Sequence, residues 1–165
     1  KKSANDTLSS SKVEKNNNGK FTVDGGHAFV TLIHVNLETQ NIESNSFGLY
    51  PAEKTGIMKV ESVKGVIKDD SNSYYDKASS FTITQDEYNS ALEYAKSKIE
   101  NPPKYNLYTN NCVDFSINTA EKAGITLPNL PIGSSPSSLN KVLSVNEVVL
   151  GDNKLKRKLF YDQFL

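Results

Sequence analysis

Residues 110–124 read Asn-Asn-Cys-Val-Asp-Phe-Ser-Ile-Asn-Thr-Ala-Glu-Lys-Ala-Gly and contain the chain's one cysteine. Asn110 or Asn111 supplies a side-chain oxygen suited to capping a helix that starts at the cysteine. Gly124 stands where a helix of this length, ending near Ala123, needs a left-handed C′ residue. Val113, Ile117 and Ala120 fall on one face and predict its buried stripe. Cys112 therefore sits at a helix N-terminus, where free N–H groups and the helix dipole favour negative charge.

Upstream lies a second helix. Thr84-Gln85-Asp86-Glu87 has the form of a capping box. Behind it Tyr88, Ala91, Leu92, Ala95 and Ile99 recur at helical spacing, and Asn101-Pro102-Pro103 closes the element. Further upstream the period changes to that of strands. Phe21 to Asn36 is rich in β-branched and aromatic residues and reads as a strand. Leu37 to Asn41 is a polar connection, and Ile42 to Tyr50 is a second strand ending at Pro51, so the two predict an antiparallel hairpin. Gly56 to Lys68 predicts one or two more strands, Asp69 to Ser73 a turn-rich loop, and Ser80 to Ile83 a short strand. Beyond Gly124, Thr126 to Ser138 reads as a proline-bearing loop, Leu139 to Leu143 as a short helix, and Val145 to Phe160 as a terminal hairpin. The expected class is α+β, an antiparallel sheet packed against helices.

The length of 165 residues suits one domain. Residues 1–20 carry few large apolar side chains and read as a flexible N-terminal segment, with residues 21–165 as the single folded domain. Lys and Arg balance Asp and Glu at 19 each, so no basic field points to nucleic acid. The basic run Lys154 to Lys158 is short and reads as a solvated face. No apolar run reaches the ~20 residues that a membrane helix needs, and no leader peptide is visible from Lys1 onward. A single cysteine excludes an intrachain disulfide and a cysteine-rich zinc site. No cofactor or metal is expected. No exposed apolar segment suggests membrane docking.

The helix-start position gives Cys112 a reason to be reactive. The same end of the helix can favour a thiolate and hold an oxyanion during acyl transfer. An inert buried thiol is the alternative. A nucleophilic thiol needs a base, and the chain has two histidines. His27 follows Gly25-Gly26 at the opening of an apolar strand. His34 lies seven residues on, so strand alternation puts it on the opposite face. His27 is the expected base. A third group should orient its imidazole. Hairpin register points to the C-terminal half of the neighbouring strand, where Ser46 and Tyr50 are candidates and neither is decided.

Gly26-His27-Ala28-Phe29-Val30 opens a strand, and Phe47-Gly48-Leu49-Tyr50-Pro51 ends the next. Tyr105-Asn106-Leu107 and then Asn111-Cys112-Val113-Asp114-Phe115 follow at a helix start. In this order the motifs resemble the circularly permuted branch of the NlpC/P60 papain-like family, which includes lecithin:retinol acyltransferase-like proteins. The resemblance covers about Gly25 to Pro128. It implies a papain-like core with the His strand before the Cys helix, Cys112 as nucleophile and His27 as base. It further implies a cysteine hydrolase acting on peptidoglycan peptides as endopeptidase or amidase, in the manner of a secreted antibacterial effector. Such a protein would be delivered to the bacterial cell envelope and be met there by an immunity protein. A lipid acyl hydrolase or acyltransferase is the second expectation, without stable membrane insertion. A non-catalytic binding module on the same scaffold is the third.

Overall fold

A computed structural model of the chain describes residues 12–15, 21–24, 26–53, 61–75, 78–127 and 130–145. Among these the order is β1 (Lys12–Lys15), β2 (Phe21–Asp24), β3 (Val30–Asn36), β4 (Asn41–Pro51), β5 (Gly65–Asp69), α1 (Gln85–Glu100), α2 (Cys112–Lys122) and α3 (Pro136–Val145). The class is α+β, with a three-stranded antiparallel sheet in the order β3-β4-β5 and three helices.

The expected hairpin is β3 and β4, in register from Val30↔Phe47 to Asn36↔Asn41. Its turn is closed by the Asn36 carboxamide oxygen, which accepts the N–H groups of Glu38 and Thr39, each at 3.0 Å. The first strand is shorter than the composition suggests. Phe21–Asp24 is a separate strand paired with Lys12–Lys15, and Gly26, with φ 71°, turns the chain before β3 begins. Part of the segment read as a flexible lead-in is thus a strand; residues 1–11 and 16–20 lie outside the described residues.

Strand β5 joins the far side of β4, from Phe47↔Asp69 to Pro51↔Gly65. Residues 80–83 form no strand; this stretch is extended coil leading to the Thr84 cap. The terminal hairpin expected over 145–160 and the basic run 154–158 lie outside the described residues. α3 starts earlier than its apolar spacing indicated, because Pro136 fits the first helical turn, where no N–H is needed, and Ser135 caps it through Ser138 N–H.

Both capping boxes form. Thr84 Oγ1 accepts Glu87 N–H while the Glu87 carboxylate accepts Thr84 N–H. The Asn111 carboxamide oxygen accepts Val113 N–H at 2.8 Å while the Asp114 carboxylate accepts Asn111 N–H at 2.8 Å. α1 buries Tyr88, Ala91 and Ala95 in the core, but Ile99 is 49 % exposed. α2 buries Val113, Phe115, Ser116 and Thr119, a broader face than expected, while Ile117 and Ala120 pack only partly. Thr119 is tolerated in this core because its hydroxyl donates to Phe115 C=O at 2.8 Å. Leu32, Phe47, Leu49 and Ile67 supply the sheet side of the core, beneath α1 and α2. Burial at α2 fixes the helix axis, and that sets where Cys112 stands relative to the start of β3.

Candidate active site

Cys112 is the first residue of α2 and is 5 % exposed. Its thiol is close enough to the His27 imidazole to raise that group's pKa. The other ring nitrogen of His27, Nε2, donates to Asp70 Oδ2 at 3.2 Å. That leaves Nδ1 as the nitrogen able to face the thiol. A chain of thiol, imidazole and carboxylate therefore runs from α2 across the opening of β3 to the end of β5. His34 is not part of it; its ring packs 5.5 Å from that of Tyr88 on α1.

The orienting group is Asp70, which lies within the turn-rich segment Asp69 to Ser73. The two expected candidates stand elsewhere. Ser46 Oγ is paired with Thr31 Oγ1 at 2.9 Å. Tyr50 is level with His27, but it stacks on the imidazole, ring centroids 4.1 Å apart, and sends its hydroxyl to Asp70 Oδ1 at 2.6 Å. Tyr50 is thus a support for both other members. Ser73 Oγ also donates to Asp70 Oδ1 at 2.6 Å. The buried carboxylate accepts three side-chain hydrogen bonds, which offset the cost of removing it from water.

Asp70 reaches His27 because β4 between them carries no side chain at the crossing. A Cβ at Gly48 would lie 2.0 Å from Asp70 Oδ2 and 2.5 Å from His27 Nε2. Gly48 is therefore the floor of the pair, and any larger residue would occupy the place of their hydrogen bond.

The electrostatics follow from these contacts. Burial is the largest influence on His27 and pushes its pKa down. The bond to Asp70 and then the bond and charge of Cys112 more than reverse this, and His27 is raised to about 9. Burial pushes Asp70 up, but the bonds from His27, Ser73 and Tyr50 outweigh it and hold the carboxyl below its usual range. Burial and then Asp70 push the Tyr50 phenol upward, so it remains a donor. Tyr105 is raised to about 12, by burial first and then by the nearby charges of Cys112 and Asp114. The site is arranged to hold an imidazolium beside a sulfur at neutral pH.

The helix start offers fewer oxyanion donors than its position suggests. The N–H groups of Val113 and Asp114 both point to the Asn111 oxygen, at 2.8 and 3.4 Å. Among the described residues the N–H of Cys112 has no hydrogen-bond acceptor and is the main-chain donor left for an oxyanion. Asn111 also ties two loops to this end of the helix, its Nδ2 donating to Leu107 C=O at 3.0 Å and Ser134 C=O at 3.1 Å. Gly133 N–H donates to the Asp114 carboxylate at 3.1 Å. Among the described residues no group of three or more His, Cys, Asp or Glu is placed to hold a metal ion, and no helix is long and apolar enough to cross a membrane.

No family model, curated protein or solved structure matches the chain.

Proposed function

We propose that this protein is a cysteine hydrolase of the permuted NlpC/P60 papain-like kind, acting by acyl transfer through Cys112, His27 and Asp70. The observation that carries this is the His27–Asp70 pair held over Gly48, with the Cys112 thiol close enough to raise the His27 pKa. The order of the His strand before the Cys helix, and their union by an antiparallel sheet packed on α2, support the same family.

In the proposed reaction the Cys112 proton resides on His27 and the thiolate attacks an amide or ester carbonyl. The carbonyl oxygen takes the electron pair and is met by the Cys112 N–H. Collapse breaks the bond to the leaving group, which takes its proton from His27, and a thioester remains on Cys112. Water, deprotonated by His27, attacks the thioester and releases the acid. Asp70 holds the imidazole in the orientation that both transfers need and favours its charged form.

The proposed substrate is a peptide amide of bacterial peptidoglycan, with the protein delivered to the cell envelope of a competitor. One observation favours a lipid acyl substrate as a second reading. Leu107, Tyr108 and Ile132 are 40 %, 50 % and 75 % exposed on the two loops that Asn111 ties beside Cys112. These exposed side chains run against the expectation that no exposed apolar segment suggests membrane docking, and apolar surface suits an acyl chain. Purified sacculi and phospholipid vesicles, each incubated with wild type and Cys112→Ala, separate the readings. Muropeptide cleavage lost in Cys112→Ala is expected. Release of fatty acid with intact sacculi would move the substrate to lipid. Cleavage that survives Cys112→Ala would refute the mechanism.

A further inference from the structure

We propose that Lys68, with Lys64 and Lys104, binds a negatively charged group of the substrate beside the carbonyl that Cys112 attacks. This rests on the acyl-transfer reading above and adds to it the charge of the substrate. Side chains alternate along a strand, so Lys64, Lys68 and Asp70 share one side of β5 and its approach. Asp70 on that side reaches His27. The Lys68 ammonium lies over the Tyr50 ring, 4.9 Å from its centroid, and the Tyr50 ring is stacked 4.1 Å from His27. Taken together, these contacts put the ammonium no more than about 9 Å from the imidazole centre.

Lys104 comes from a different element. Val63 and Tyr105 exchange both backbone hydrogen bonds at 2.9 Å, so the next pair along is Lys64 opposite Lys104. The Cβ atoms of directly opposite residues on antiparallel backbone stand about 5 Å apart, and like charges on such residues are unfavourable. All three lysines are exposed, and among the described residues none of them forms an ion pair. Among the described residues of β5 and its approach, the one carboxylate on this side, Asp70, is occupied by His27, Tyr50 and Ser73. Asp69 is on the opposite side of the strand and takes Ser71. Lys68 is the cation nearest the imidazole, and Lys64 and Lys104, about 13 Å further along the strand, continue the positive charge along this side, where a ligand anion would be met. A peptide carboxylate and a lipid phosphate diester share this chemistry.

Alkylation of Cys112 by iodoacetate and by iodoacetamide, reagents differing by one charge, tests this on the full chain. At ~10 mM ionic strength screening extends to ~30 Å. A unit charge at a separation of about 9 Å would change the relative rate about 2-fold in water. The iodoacetate to iodoacetamide ratio should fall about 2-fold in Lys68→Gln and about 5-fold in Lys68→Glu. It should fall further when Lys64→Gln and Lys104→Gln are added, and the differences should collapse in ~1 M salt. Brisk iodoacetamide labelling with a ratio independent of Lys68 overturns the inference and leaves the hydrolase reading standing. A thiol that neither reagent modifies at neutral pH removes both. Protection of Cys112 by an N-acetyl dipeptide with a free carboxylate, weakened by Lys68→Glu, assigns the anion to a peptide. The same behaviour with dihexanoyl phosphatidylglycerol assigns it to a lipid. Protection by neither in a Lys68-dependent way overturns the assignment.

Discussion

Gly48→Ala adds one methyl group and should disable the site without unfolding the protein. The new carbon would start 2.0 Å from Asp70 Oδ2, against an ordinary contact of 3.4 Å or more, so the carboxylate or the strand must move by about 1.4 Å. It would also stand 2.5 Å from His27 Nε2, which blocks retreat of the imidazole toward β4. The 3.2 Å bond between them cannot survive such a shift. The rise of His27 from 6.5 to about 9 corresponds to about 3 kcal/mol of preference for imidazolium, shared between Asp70 and Cys112. With the Asp70 share gone and burial still acting, His27 should titrate well below 9. A displacement of ~1 Å at a catalytic group typically lowers the rate about 100-fold. Backbone propensity acts the other way, since Ala in a strand interior is favoured over Gly by about 0.5–1 kcal/mol. The assay is an NMR titration of the imidazole protons, simple with only two histidines in the chain, alongside the rate of Cys112 alkylation and a thermal melt. A folded Gly48→Ala protein whose His27 still titrates near 9 and whose thiol reacts within 2-fold of wild type would refute the floor role assigned to Gly48.

Asp70→Asn keeps the shape and removes the charge, so the alkaline limb of the rate profile should move down from about 9. The sign for stability is the same: a histidine raised on folding contributes fully below 6.5, and that contribution is lost as pH rises through about 9. Urea midpoints of the wild type should therefore fall across this window, and Asp70→Asn should flatten the fall. Asn111→Ala removes the cap and both loop ties, and should lower stability by about 1–2 kcal/mol in urea unfolding while slowing thiol alkylation more than an exposed substitution such as Gln85→Ala does.

The local signals in the chain were readable because their partners are near in sequence. Thr84 with Glu87, Asn111 with Asp114, and Gly124 at φ 70° are each settled within a few residues. The nearness of Cys112 and His27 followed from one helix start and one strand start. Asp70 was not readable, because its role depends on a gap in a third element. Hairpin register correctly set Tyr50 beside His27, but an aromatic ring at that level stacks on imidazole rather than bonding to its nitrogen. The carboxylate instead arrives from β5, across Gly48, 43 residues from the histidine that it holds. The usable clue was Gly48 within an otherwise well-formed strand, since a strand glycine often marks a close approach. The α2 stripe was misjudged for a related reason. Phe115 packs against Tyr94 of α1 within the sheet core, and Thr119 is also fully buried, so the helix is buried over a wider arc than one apolar row implies.

Asn111 has a consequence for motion. Its side chain is shared by the first turn of α2, by the turn at Leu107 and by the turn at Ser134, so fraying of that helix end releases three segments at once. Such sharing makes them one opening unit in amide hydrogen exchange, with the N–H groups of Val113 and Asp114 protected to a similar degree. The exposed Leu107, Tyr108 and Ile132 would then be carried on loops whose position is governed by the same residue that starts the helix.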